Sequence, residues 1–242
     1  MQANLPPISE IWVYLSGSPL LALVLTLSAY LLGLTLYERS DRNPLANPML
    51  IAVILVSLSI NLLDMSYVKY FEGAQFVHFL LGTATVSLAI PIYKGFASLK
   101  GRMGILMLAL LAGGVTSIFT AVGMARWLVV DESLVHGLVA KSVTAPIAMG
   151  IAERVQASPT LTAIFAVSTG ILGAVLGRYV LDALRITAWW QRGFALGVAA
   201  HGIGTSRAFS VNPEAGAYAS LGMGLHGILG AVLIPYAVAW WF

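Results

Sequence analysis

Ala140-Lys141-Ser142-Val143-Thr144-Ala145-Pro146 is the stretch on which the reading of the whole chain turns. It sets a lysine, two hydroxyls and a proline in the middle of an apolar run, Leu134–Val155. A lysine that deep in a membrane segment is costly and marks a functional site by default. Backbone that leaves the helix at membrane depth is tolerated only inside protein or beside a water-filled cavity. The competing reading is a proline-kinked helix whose hydroxyls bond back to the preceding turn. Leu81-Gly82-Thr83-Ala84-Thr85-Val86-Ser87-Leu88-Ala89-Ile90-Pro91 has the same character within a second apolar run, Phe71–Phe96.

Composition places both stretches in a bilayer. Of 242 residues, 59% are hydrophobic and 10% charged, with a mean hydropathy of +0.88. Soluble chains carry roughly 25% charged residues, so there is too little charge here to wet a globular surface. Disorder requires low hydrophobicity and nucleic-acid binding a dense basic patch. A disulfide scaffold requires cysteine, and the chain has none. The net charge of +3 then reflects loop orientation.

A spanning helix needs about 20 mainly apolar residues. Eight segments qualify: Ile11–Tyr37, Leu45–Leu63, Phe71–Phe96, Gly104–Val130, Leu134–Val155, Thr160–Ile186, Gly193–Phe209 and Glu214–Trp241. Short polar punctuation such as Asp131-Glu132, Ser158-Pro159 and Asn212-Pro213 separates them. No linker is long enough to divide domains, so residues 1–242 read as a single integral membrane domain. The first ten residues contain no lysine or arginine, so the first apolar run is expected to be retained rather than cleaved. The absence of cysteine fits a multi-pass protein of a bacterial inner (cytoplasmic) membrane.

The two interrupted stretches also repeat. Shifted by 57 places, Gly82–Trp127 lies on Val139–Leu184, and Thr85-Val86-Ser87 falls on Ser142-Val143-Thr144. Small residues follow at every fourth position: Ala109, Gly113, Ser117, Ala121 and Ala125 in one copy, Ala166, Gly170 and Ala174 in the other. Such ladders let membrane helices approach closely. The fold class expected is an all-α polytopic membrane bundle with two units, each a broken or re-entrant helix followed by a crossing helix. If both broken segments re-enter, the copies form an inverted repeat, a common transporter architecture; if both cross, the copies run parallel. Loop charges fit either arrangement by the positive-inside rule, and the re-entrant one is favoured.

Candidate site residues follow from the interruptions. Lys141, Ser142 and Thr144 offer charge and hydroxyls, and Pro146 suits the start of a half-helix, whose free N–H groups favour an anion. Ala200-His201-Gly202-Ile203-Gly204-Thr205-Ser206-Arg207 is glycine-dense. If it unwinds, His201, Thr205 and Arg207 converge on one anion; if it stays helical, only His201 and Thr205 share a face. His201 is also the best candidate for proton coupling. Thr83, Thr85 and Ser87 form the expected opposite wall. His78 and His226 read more simply as packed side chains. Hydrolase, metalloprotease and phosphate-loop motifs are missing, and the histidines lack zinc-ligand spacing, so neither an enzyme nor a metal or other cofactor site is expected.

Gly82–Lys94, Lys141–Ala148, Thr169–Gly177 and Arg192–Arg207 together resemble the LrgB/CidB family, across nearly the whole chain after about residue 17. Thr83 departs from the proline usual there, and His226 from an expected small polar residue. The resemblance carries two implications. Bacterial members are described as antiholin-like regulators of murein hydrolases, encoded with a small LrgA/CidA membrane partner. Plant members resemble plastid glycolate/glycerate translocators, and some bacterial ones are associated with pyruvate uptake. The broken segments favour a secondary transporter of a small monocarboxylate such as glycolate, glycerate, lactate or pyruvate. The alternative is an antiholin-like subunit acting with its small partner. A homodimer is expected only by analogy with other carriers.

Overall fold

Asparagine–proline and serine–proline pairs cut the chain into helices. The computed structural model describes residues 19–87, 90, 93 and 101–241, and its elements are helical. The described chain forms two compact units that divide at Ser87.

The first unit holds α1 (Pro19–Arg39), a 3-10 turn (Pro44–Ala46), α2 (Pro48–Leu62) and α3 (Tyr67–Ser87). Asn47 caps α2, its Oδ1 accepting from the Met49 and Leu50 N–H groups at 2.9 and 3.2 Å, while Pro48 occupies a position that has no partner for an N–H. Two glycines let the helices touch. A Cβ on Gly33 would lie 2.7 Å from the Pro48 carbonyl oxygen, and one on Gly73 would lie 2.7 Å from the Ala22 Cβ. Contrary to the expected interruption, α3 continues as helix through Gly82–Ser87. Thr83 donates to the Leu80 carbonyl at 2.8 Å and Ser87 to the Thr83 carbonyl at 2.9 Å. Hydroxyls satisfied within their own helix remove the need for a break. Most of 88–100, including Pro91, lies outside the described residues.

The second unit comprises α4 (Met103–Trp127), α5 (Glu132–Leu138), α6 (Ala145–Arg154), α7 (Pro159–Ala183), α8 (Trp189–Val211) and α9 (Pro213–Trp241). Helices α4, α7 and α9, together with α1 of the other unit, are long and apolar enough to cross a membrane. Met103, Leu106, Trp190, Phe194, Tyr218 and Leu221 pack in one cluster, so α4, α8 and α9 all begin at the same end of the unit, called here the near end. Val122, Ala125, Ile234 and Val238 cluster at the far end.

Helix α8 is not one rod. At His201 φ is 40° and ψ −130°, and the chain doubles back. Three sets of close approaches establish the reversal. A Cβ on Gly204 would lie 2.6 Å from the Leu196 carbonyl oxygen, though eight residues of straight helix would hold them about 12 Å apart. Gly193 and Gly197 abut the Ala215 and Ala219 carbonyls, so the first arm (189–200) runs parallel to α9. On the second arm (202–211) the order inverts: Gly202 meets Met223, whereas Phe209 meets Gly216. The first arm enters from the near end and the second returns there. This corrects the expectation that Gly193–Phe209 crosses: it is a hairpin, with His201 at its tip.

Helices α5 and α6 make the opposite hairpin. Asp131 caps α5 by accepting from the Ser133 N–H at 2.9 Å; the Ser133 hydroxyl beside it holds its carboxyl below the usual range. Gly137 packs on Phe165 and Thr162 in the opening turns of α7, while Val135, Val139 and Ile151 join the far-end cluster. Since α7 starts at the far end, both the entry and the exit of this segment lie there. Leu134–Val155 is therefore interrupted, as its sequence indicates, and it re-enters rather than crosses.

Candidate functional site at the two hairpin tips

Turns at 139–144 replace helix between α5 and α6. Lys141 there reaches α4, where its Nζ donates to the Ser117 Oγ at 3.0 Å. Ser142 is buried and its Oγ lies 2.9 Å from the Nε2 of buried His226 on α9. Thr144 precedes α6 without capping it through its side chain, and its buried Oγ1 has no hydrogen-bond partner. Gly114 on α4 makes room for the His226 ring, whose Cε1 would be 3.1 Å from a Cβ there.

The second tip sits against the middle of α7. A carbonyl only accepts, so the His201 Nε2 carries the proton that it donates to the Ala166 carbonyl, at 2.8 Å. Gly170, one turn on, provides the space for the ring: a Cβ would fall 2.6 Å from the His201 Cε1. Thr205 donates to the His201 carbonyl at 2.8 Å and approaches the Met223 sulfur at 3.8 Å. Met223 and His226 stand one turn apart on α9, the first beside Thr205 of one tip and the second bonded to Ser142 of the other. The tips of two opposed hairpins therefore share one neighbourhood, floored by α9 and walled by α4 and α7.

Lys141, Ser142, Thr144, His201 and Thr205 thus gather in the second unit. Arg207 stands apart from the tip, on the returning arm, where it lines a cavity with Arg178, Asp182 and Arg192. Thr83 and Ser87 belong to α3 in the first unit, each with its hydroxyl bonded within that helix. Thr85 is in α3 as well, and its side chain lies outside the described residues, as does that of His78. Sequence reasoning undervalued His226, whose glycine-rich helix suggests packing alone, and treated Ser117 only as a rung of the small-residue ladder. Its polarity among alanines and glycines was the available signal.

Long apolar crossing helices and two helical hairpins opposed at mid-bundle define a multi-pass helical membrane protein with a buried polar crossing point. The signature of the LrgB-like family matches residues 26–240, and the chain belongs to that family. It is 34% identical over 221 residues to the protein YwbG of Bacillus subtilis (strain 168), covering 91% of this chain and 97% of that one. It is also 27% identical over 219 residues to the "Holin-like protein CidB" of Staphylococcus aureus (strain Mu50), covering 90% and 95%. YxaC of Bacillus subtilis (strain 168) is 31% identical over 223 residues, covering 92% and 96%. No solved structure matches.

Proposed function

We propose that the chain is a carrier, not an enzyme, for a small monocarboxylate of the glycolate, glycerate, lactate or pyruvate type, held where the two hairpin tips meet. One observation carries the reading: Lys141, Ser142 and the buried, unpartnered Thr144 Oγ1 lie together at an interruption between short helices. A cation with hydroxyl donors beside the start of α6, whose partial charge is positive, suits a carboxylate. Hairpins entering from opposite ends leave short distances to either face, which favours alternating access. His226, bonded to Ser142, and His201 at the other tip are the candidates for coupling a proton to the anion. Arg102, Arg178, Arg185 and Arg192 lie at the near end and Arg126 and Arg154 at the far end. The positive-inside rule then makes the near end cytoplasmic, in a bacterial inner membrane.

The name of the holin-like CidB relative favours a second reading more directly than the first: a holin-like membrane protein, which the family resemblance extends to an antiholin-like regulatory subunit acting with a small CidA-type membrane partner. Reconstitution separates the two. Purified protein in liposomes takes up labelled glycolate or pyruvate unaided on the carrier reading, and Lys141→Ala and His201→Ala each slow uptake at least tenfold in folded protein. No flux from the protein alone, with activity only when the partner is present, would replace the carrier reading by the second.

A further inference from the structure

Between the two arms of α8 and the last turns of α7 lies a cavity of about 340 Å³. Its polar lining is Arg178, Asp182, Arg192 and Arg207, with Trp189 and Leu196 beside them. Asp182 is already committed: Arg192 donates to its Oδ1 at 2.6 Å, and the Arg178 Nε is 3.7 Å from its Oδ2. Arg192 is held twice more, by the Ile186 carbonyl at 3.0 Å and by the Trp189 ring 5.6 Å away. The lining thus sets three guanidiniums against one carboxylate, an excess of positive side chains in a concave site at the near end.

We infer that this cavity binds a phosphate group, presented either by an anionic phospholipid headgroup or by a free phosphate. Guanidinium forks match phosphate oxygens in pairs, and three guanidiniums surround more acceptor oxygens than one small carboxylate presents; a headgroup phosphodiester neutralises one charge of the excess and free phosphate up to two. The place fits as well. Arg178 stands in the last two turns of α7 and Arg192 in the first turn of α8, its guanidinium over the Trp189 ring; tryptophans mark the level at which headgroups lie. Basic pockets between helices recruit anionic lipids in this way. A ligand wedged between the arms would also brace the hairpin that carries His201. This site is independent of the solute that crosses at the tips.

The full-length protein in a neutral detergent tests the proposal through its tryptophan fluorescence, since Trp189 lines the cavity. The probes are inorganic phosphate and a short-chain phosphatidylglycerol, with sodium acetate at matched ionic strength as the control. A saturable response to either phosphate probe is expected, weakened at least tenfold by Arg207→Gln and by Arg178→Gln. The Arg178 side chain is 60% exposed, so its substitution spares the fold. Response to phosphatidylglycerol alone identifies a lipid site, and response to both a site for free phosphate. No saturable response, an unaltered response in both variants, or acetate acting as strongly as phosphate would overturn the inference.

Discussion

Replacing Gly170 by alanine probes the seat of the second tip. The new methyl would lie 2.6 Å from the His201 Cε1 and 2.8 Å from its Nε2, where ordinary contact begins at 3.4 Å. The ring must therefore retreat by about 0.8 Å. Its bond to the Ala166 carbonyl, now 2.8 Å, does not survive a shift of that size away from the oxygen. Hydrogen bonds between membrane helices contribute about 0.6 kcal/mol on average and up to ~1.7, and overpacking costs about 1–3 kcal/mol. Together the loss is on the order of 2–4 kcal/mol. Gly177→Ala is the matched control on the same helix: its methyl would meet only the Leu196 Cδ2, at 2.5 Å, and the end of a leucine can rotate away. Thermal unfolding in detergent followed by tryptophan fluorescence, with uptake by the same proteins in liposomes, measures both effects. Gly170→Ala should lower the midpoint well below that of Gly177→Ala and slow uptake in the fraction that folds. Equal midpoints and equal uptake for the two variants would refute the placement of His201 against α7.

The chain has no cysteine, so single-cysteine labelling from either side of a sealed vesicle reads topology directly. Ser133→Cys and Ala157→Cys are expected to label from one side, and Ala188→Cys and Asn212→Cys from the other; reaction of Ser133→Cys and Ala157→Cys from opposite sides would show that 132–154 crosses. Ser142→Ala strips His226 of its partner, and His226→Leu does the converse. Unfolding of both single variants and the double variant should therefore give a coupling of about 0.5–3 kcal/mol, and strict additivity would mean that the 2.9 Å contact contributes nothing.

Residue chemistry alone was enough to read the bilayer setting, the interruption at Lys141–Pro146, the family and the four described helices long and apolar enough to cross; it overstated Leu45–Leu63, whose helix α2 has 15 residues. Each rests on local composition: charge too sparse for water, apolar runs of spanning length, a lysine and a proline where a helix cannot continue without consequence. The same local reasoning overstated Gly82–Ser87, because threonine and serine hydroxyls can be satisfied by their own helix. It also understated Trp189–Val211, whose 23 residues have the length of a crossing helix. One residue reverses that segment, and only Leu196 against Gly204, with Gly193 and Gly197 against α9, reveals it. Lys141 with Ser117, and Ser142 with His226, meet across 24 and 84 residues of chain. Spacing cannot predict such pairs, because they depend on which helices pack side by side. The partners of the polar tips, and the parting of Arg207 from them, were settled by helix packing in three dimensions.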